Sequence, residues 1–505
     1  MAGQYISVNA ADGGQFKAYV AKPAQGSGPG LLVIQEIFGV NQHIRDICDR
    51  YAEEGYVAIA PDIFWHMEPA VELGQTEQDF ARAFDFYGRF DVEKGMSDIA
   101  LTIKTLRGLP ECKGKVGSVG YCLGGFLSYL TACRTDVDVA VCYYGVGIEK
   151  ALGEASKIKC PVVFHFAELD KFAPLAAVEQ IRNDFKGRPE IEVYSYPGAD
   201  HAFNRDGGMH YHKPSAMMAY SRSLAAMRKS MGPHYDLSAL WDTHCMHEFG
   251  TRDVDATMKT MVAVPYVNHI PDMTGGVGHD QLKRFYKHHF IPTTPKDTKL
   301  VPISRIVGSD RLVDEMLFCF THDIEIDWML PGIPPTGKYV EIPLVAIVCF
   351  RGDKLYNEHI YWDQASVLVQ IGVKSDVDCR FVGEGHALAD PPQSSDPASV
   401  NIDDQSVVLA DQRRALCRFH RDCVAVREGP RAEGREDRLF AEQFTAAPAA
   451  TCISEQAIVG RRLAAPQRAQ MIDRAHAPSP PAIWRRTATS SNTVKSSIIM
   501  PSRTR

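Results

Sequence analysis

Cys122 stands in the run Val116-Gly117-Ser118-Val119-Gly120-Tyr121-Cys122-Leu123-Gly124-Gly125-Phe126, a short apolar strand, a Gly-Xaa-Cys-Xaa-Gly turn and the start of a helix. This is the pattern of a nucleophile elbow with sulfur where serine is usual. Small residues on either side, Gly120 and Gly124, let the backbone turn sharply while the side chain stands exposed. A thiol placed there is a candidate for covalent catalysis. Free cysteine is also among the most buried residue types, so plain packing is the competing account of the pentapeptide taken alone.

A thiol nucleophile needs a base, a group to orient that base, and donors for a developing oxyanion. Asp170 follows the apolar run Pro161–Phe166, and His201 follows Ile191–Tyr196. Nucleophile, acid, then histidine is the triad order of α/β-hydrolase architectures. A solitary Asp or His in a loop is usually a cap or a surface residue, but three such groups at matching strand ends rarely coincide by chance. The oxyanion donors expected from this arrangement are the backbone N–H of Leu123, directly after the nucleophile, and that of Ile37 in the turn after Leu31–Gln35. The same turn carries Glu36, a carboxylate with no place in a simple triad.

The elements that must hold these groups are legible up to about Met231. Leu31–Gln35, Val57–Ala60, Val116–Gly120, Val139–Tyr143, Pro161–Phe166 and Ile191–Tyr196 read as strands, separated by helices such as His43–Glu54, Val92–Leu106 and Leu175–Phe185. Continuous apolar strands alternating with helices predict an α/β fold with a mostly parallel, doubly wound sheet, in which ligands bind beyond the carboxyl ends of the strands. Gly232-Pro233 marks a boundary. Beyond it Leu237–Val262 and Asp280–Phe290 read as helices. Leu300–Val307, Arg311–Ile326, Tyr339–Arg351 and Lys354–Asp363 read as strands joined by tight turns, an α+β unit ending near Val373. The expected division is therefore 1–232, 236–373 and a tail, 374–505. The tail has no tyrosine, many arginines and few lysines, and Ala/Pro/Ser-rich stretches. That composition predicts disorder, or an out-of-frame or intron-derived translation.

Composition narrows the function. Over 505 residues the formal charge is −7, with 23% charged residues, which offers no footprint for nucleic acid or for an anionic membrane. A small-molecule substrate is expected instead. No apolar run approaches the length of a membrane span, and the amino terminus lacks a signal-peptide pattern. The 13 cysteines, an odd number without zinc-type pairing, fit reduced thiols in a cytoplasmic protein. No cofactor is expected, and no metal site is evident, because the adjacent His288 and His289 point apart on a helix.

Gln35-Glu36-Ile37-Phe38-Gly39-Val40-Asn41, Gly120-Tyr121-Cys122-Leu123-Gly124-Gly125, Tyr143-Tyr144-Gly145-Val146-Gly147 and His201-Ala202-Phe203 together resemble the dienelactone hydrolase (carboxymethylenebutenolidase) family over residues 1–231. The resemblance implies the α/β-hydrolase fold and a triad of Cys122, Asp170 and His201. It also implies a role for Glu36, which would contact the resting thiol and take its proton when substrate arrives. It implies further that a carboxylate-bearing lactone is anchored by arginines, for which Arg205 and, in a less similar loop, Arg82 are the candidates, with Tyr144 also at the substrate. A carboxylesterase or thioesterase using the same thiol is the enzymatic alternative. A ligand-binding or thiol-redox protein that kept the elbow without turnover is the alternative of another class.

Residues 236–372 are similar, by element order, to a SnoaL-like polyketide cyclase domain of the cone-shaped nuclear transport factor 2-like fold. Period-2 alternation along Lys354–Asp363 puts His359 and Asp363 on one face. If that face lines the cone, the two are candidates for acid–base chemistry. The competing accounts are mutual satisfaction in a polar cavity and contact with an oligomer partner, with dimerisation through this second domain.

Overall fold

The computed structural model describes residues 3–373, which belong to one compact unit; the expectations for 374–505 lie outside the described residues. The first part is an eight-stranded sheet formed by β1 (Gln4–Asn9), β2 (Gln15–Ala21), β3 (Gly28–Ile34), β4 (Val57–Pro61), β5 (Cys112–Tyr121), β6 (Val139–Tyr143), β7 (Val162–Ala167) and β8 (Ile191–Tyr196). The spatial order is β1-β2-β4-β3-β5-β6-β7-β8. β3 to β8 run parallel, whereas β2 pairs antiparallel with both β1 and β4. Every residue of β4, β6 and β7 is buried, as required of parallel strands covered on both faces.

Six helices provide that cover: α1 (Gln42–Glu53), α2 (Glu77–Arg89), α3 (Val92–Gly108), α4 (Leu123–Arg134), α5 (Leu175–Asp184) and α6 (Lys213–Met231). The predicted strands and helices recur within a few residues. The antiparallel β1–β2 hairpin and α2 were not anticipated. β1 is mostly exposed, so it lacks the apolar run that marks its parallel neighbours.

The second part is a six-stranded sheet of β9 (Met261–His269), β10 (Thr274–Val277), β11 (Lys299–Val307), β12 (Arg311–Thr321), β13 (Tyr339–Arg351) and β14 (Lys354–Trp362), ordered β10-β9-β14-β13-β12-β11. All pairs are antiparallel except β14–β9. β12 and β13 bury alternate residues, the mark of a sheet with one face on a core. That core includes Trp241, Phe285, Phe318 and Trp328.

The single helix expected over Leu237–Val262 is instead three elements and the start of β9. α7 (Leu237–Cys245) runs into a π-helical turn, Met246–Gly250, and α8 (Val254–Lys259) begins afresh. Asp253 causes the break by accepting the amides of Asp255 and Ala256 as an N-cap. α9 (His279–Phe285) likewise continues as a π-helical turn, Tyr286–Phe290. A closing helix, Gln364–Gln370, was not foreseen.

Polar contacts join the two parts. Buried Glu54 accepts bonds from Arg228 Nη2 (2.6 Å), Tyr220 Oη (2.9 Å) and the amide of Gly352 (3.0 Å), and Arg351 pairs with Glu53 at 2.6 Å. Gly352 has φ +58°, and a Cβ there would lie 2.4 Å from the Glu53 carbonyl oxygen, so this approach admits glycine alone. Among the described residues no helix is long and apolar enough to cross a membrane.

Candidate active site

The expected site residues gather at the carboxyl end of the parallel strands. Glu36 follows β3, Cys122 follows β5, Tyr144 follows β6, Asp170 follows β7 and His201 follows β8. Cys122 adopts φ +55°, ψ −114° as the residue before α4, a strained conformation for a residue with a Cβ and one found at functional turns. The elbow is possible because a Cβ at Gly120 would lie 1.9 Å from the Gly124 carbonyl oxygen, and one at Gly124 would lie 2.2 Å from that of Ile34. Leu123 opens α4, so its N–H is one of those without an intrahelical acceptor.

Asp170 is buried, and its Oδ1 accepts the amides of Phe172 (2.7 Å) and Ala173 (3.1 Å). Its Oδ2 lies 2.7 Å from His201 Nδ1. The imidazole is held edge to face by Phe172 at 5.0 Å and Tyr144 at 5.1 Å between ring centroids. Burial alone would lower the His201 pKa, but the facing Cys122 sulfur, followed by Asp170, raises it to about 10. A histidine set between a sulfur and a buried carboxylate is an arrangement suited to activating a thiol.

Glu36 is buried and turned toward Arg205, whose Nη2 donates to its Oε2. Tyr144 Oη donates to Oε1 at 3.4 Å. Burial would push this carboxyl up, but Arg205 and then His43 hold it below the usual range. The Arg205 guanidinium also lies 4.4 Å from the centre of the Phe38 ring. Arg205 was expected to meet a substrate carboxylate; here its charge already has a partner.

These groups open onto a cavity of about 300 Å³, lined by Glu36, Ile37, Cys122, His201, Arg205 and an aromatic wall. Part of that wall comes from α2, whose Phe80, Phe84 and Tyr87 face inward. Their spacing of i, i+4 and i+7 was readable in the sequence as one helical face. Arg82 is a correction. At about 100° per residue it points away from that face, and it is half exposed and paired with Glu68 at 2.8 Å. Lys171, next to Asp170, is the cation that lines the cavity without having been foreseen. Tyr144 is not on the lining; it is fully buried behind Glu36 and His201.

In the second part, the face expected to carry His359 and Asp363 is displaced. The pairing of β14 shifts register between Leu355 and Asn357, and a one-residue slip exchanges the two faces of a strand. Glu358 and Ile360 therefore line the internal cavity. His359 packs beside Tyr266 at 5.4 Å, and Asp363 caps the closing helix by accepting the amide of Ala365 at 3.0 Å. His289, one of the adjacent pair, bonds Asp327 at 2.7 Å. The buried cluster that the sequence reading missed is His244, Glu248 and Glu358. The i, i+4 spacing of the first two was visible, but the third comes from a strand more than a hundred residues away.

The Dienelactone hydrolase family profile matches residues 16–231. A provisionally named carboxymethylenebutenolidase of Azospirillum brasilense is 41% identical, over 45% of this chain and 99% of its own length. A carboxymethylenebutenolidase of Pseudomonas putida is 38% identical, over 43% of this chain and 93% of its own. A solved structure from Klebsiella pneumoniae, provisionally titled a dienelactone hydrolase, is 28% identical with a TM-score of 0.41, covering 45% of this chain and 98% of that one. With relatives matched over almost their whole length and an elbow at the end of a mostly parallel sheet, the chain belongs to the dienelactone hydrolase family of hydrolases.

Proposed function

We propose that the chain opens an enol-lactone of the dienelactone type through a thioester on Cys122. The observation that carries this reading is the 2.7 Å bond from buried Asp170 to His201, whose ring lines the cavity that also presents Cys122. The Cys122 thiolate attacks the lactone carbonyl while the amides of Leu123 and Ile37 receive the oxyanion. Collapse of the adduct expels the enolate oxygen, which His201 protonates, and Asp170 keeps the imidazole oriented throughout. His201 then takes a proton from water, the hydroxide cleaves the thioester, and a carboxylate product leaves with the thiolate restored. Glu36, drawn to Arg205 and Tyr144, leaves the sulfur to His201 in this arrangement. The family names of the matched relatives support the lactone as substrate.

The decisive measurement is kcat/KM for cis-dienelactone in the wild type and in Cys122→Ala. Loss of turnover with retained fold supports the reading, and unchanged turnover removes it.

Pairing of Arg205 with Glu36 favours a second reading, in which the same thiol serves a neutral ester or thioester. The aromatic wall of Phe80, Phe84 and Phe172 suits such an acyl group. Comparing cis-dienelactone with aryl esters and acyl thioesters separates the two. For residues 236–373 we propose a SnoaL-like unit, on the strength of helices packed against one face of a sheet around an internal cavity. The nine cysteines among the described residues are all free, which supports work in a reducing cytoplasm.

A further inference from the structure

The second part holds a buried group whose charges do not close. His244 lies on α7, Glu248 on the π-helical turn that follows, and Glu358 on β14; they are 0%, 4% and 2% exposed. His244 Nε2 lies 3.1 Å from Glu248 Oε1 and 3.0 Å from Glu358 Oε1. One ligand atom from each residue falls within 4.8 Å of the others. Both carboxylates line a cavity whose walls are otherwise mostly aromatic and aliphatic, among them Phe249, Phe290, Phe318 and Trp328. Glu358 Oε1, although 3.0 Å from Nε2, accepts no well-aligned hydrogen bond.

Hydrogen bonding behind the imidazole restricts its tautomer. Thr260 Oγ1 gives its single hydrogen to the Thr257 carbonyl at 2.6 Å. It must therefore accept from His244 Nδ1, which lies 2.6 Å away. Nδ1 carries a proton, so a neutral His244 directs the Nε2 lone pair at two carboxylate oxygens. Three electron-rich atoms then face one point, and a positive centre there, a proton or a metal ion, makes the arrangement favourable. A proton on Nε2 leaves the group at −1. A divalent metal ion leaves it neutral. The charged neighbours do not alter this balance, since Asp314 is taken up by Arg305 at 2.7 Å and by Trp241 Nε1 at 2.8 Å.

We propose that His244, Glu248 and Glu358 bind one divalent first-row transition ion, such as Mn²⁺, Fe²⁺ or Zn²⁺. An octahedron with metal–ligand bonds of about 2.1 Å has edges of about 3.0 Å, which is the spacing of Nε2 from each carboxylate oxygen. The imidazole selects against Mg²⁺ and Ca²⁺, and the two carboxylates supply the charge. Thr260 is the outer partner that orients the ligating ring. The cavity, about 40 Å³, has room beside the ion for bound water but not for an organic substrate of the size the first cavity admits. Tyr286 Oη, 3.4 Å from Nε2, stands ready to hold such a water.

The test uses the untagged full chain, treated with a chelator and then dialysed against Mn²⁺ or Zn²⁺, with bound metal measured by mass spectrometry. The expected result is one ion per chain, a rise in melting temperature on reloading, and a more than about tenfold weaker affinity in Glu358→Gln and Glu248→Gln. Lactone hydrolysis by Glu358→Gln is expected to stay at the wild-type level, so the result stands apart from the fate of the Cys122 reading. Less than a tenth of an ion per chain, or equal binding by wild type and folded variants, overturns the proposal. Should the variants not fold, an anomalous-difference map of wild-type crystals soaked in Mn²⁺ decides. A peak among the three side chains supports the site, and a map without one there overturns it.

Discussion

Arg205 and Glu36 form an ion pair in the wall of the cavity that presents Cys122, with the arginine 8% and the glutamate 2% exposed. Neither charge is tolerable there without the other, because desolvation is offset only by the partner. Glu36→Gln is therefore expected to destabilise the fold by about 3 kcal/mol, the cost of leaving a buried guanidinium unpaired. The double variant Glu36→Gln/Arg205→Met should recover part of that loss. Urea unfolding of the two singles and the double measures the coupling, and simple additivity would deny it.

On the proposed reading, Cys122→Ala should lower kcat/KM by at least about 10³ while leaving the far-UV circular dichroism unchanged, since a nucleophile in a triad acts as one unit with its histidine and aspartate. Asp170→Asn should also fall steeply. In that variant an amide replaces the carboxylate that holds Nδ1 at 2.7 Å, so the imidazole loses both its orientation and its stabilising charge.

The raised pKa of His201 sets a pH window. An unfolded histidine titrates near 6.5, whereas here burial is overcome by Cys122 and Asp170 and the value stands at about 10. A folded-state value above the unfolded one stabilises the fold fully below the unfolded pKa, and that contribution drains as pH rises toward the folded pKa. Between about pH 6.5 and 10 the wild type should thus lose melting temperature more steeply than Cys122→Ala, which lacks the neighbouring sulfur that does most to raise the His201 value. An NMR titration of His201 that reports an ordinary value in the wild type would falsify the ion-pair description.

Cation placement predicts which substitutions alter substrate affinity. Lys171 lines the cavity, while Arg82 is held outside it by Glu68. Lys171→Ala is expected to raise KM for an anionic lactone several-fold, roughly 1 kcal/mol for a partly exposed charge pair, and to leave KM for a neutral ester unchanged. Arg82→Ala should alter neither. A larger effect from Arg82 than from Lys171 reverses this assignment.

The shifted register of β14 separates two neighbouring residues. His359→Ala, on the face away from the cavity, should change stability by no more than about 0.5 kcal/mol. Glu358→Ala should cost more than about 2 kcal/mol, because it opens a buried space and removes a charge from its cluster. Equal effects in urea unfolding would place both side chains on one face.

The sequence alone was enough for the parallel sheet and for the order Cys122, Asp170, His201. Both depend on local chemistry: all-apolar strands, glycines that only a sharp turn requires, and polar residues immediately past strand ends. It placed Glu36 at the same edge, one turn after β3, but not its partners there, which are Arg205 and Tyr144 and not the resting thiol. Direction in space was decided by the tertiary structure. Arg82 and Phe80 lie two residues apart, but the helix phase puts only Phe80 in the cavity. A single irregularity in β14 exchanged His359 for Glu358, since a strand's faces alternate with every residue and one displaced pairing inverts all that follow. Arg205 and Glu36 are 169 positions apart, and nothing local to either says that each is the other's counter-charge. The same holds for His244 and Glu358, brought together only when α7 packs on the second sheet. Local sequence specifies which groups stand at the end of an element, whereas the partner each one meets is set by long-range packing, in which burial makes every unpaired charge costly.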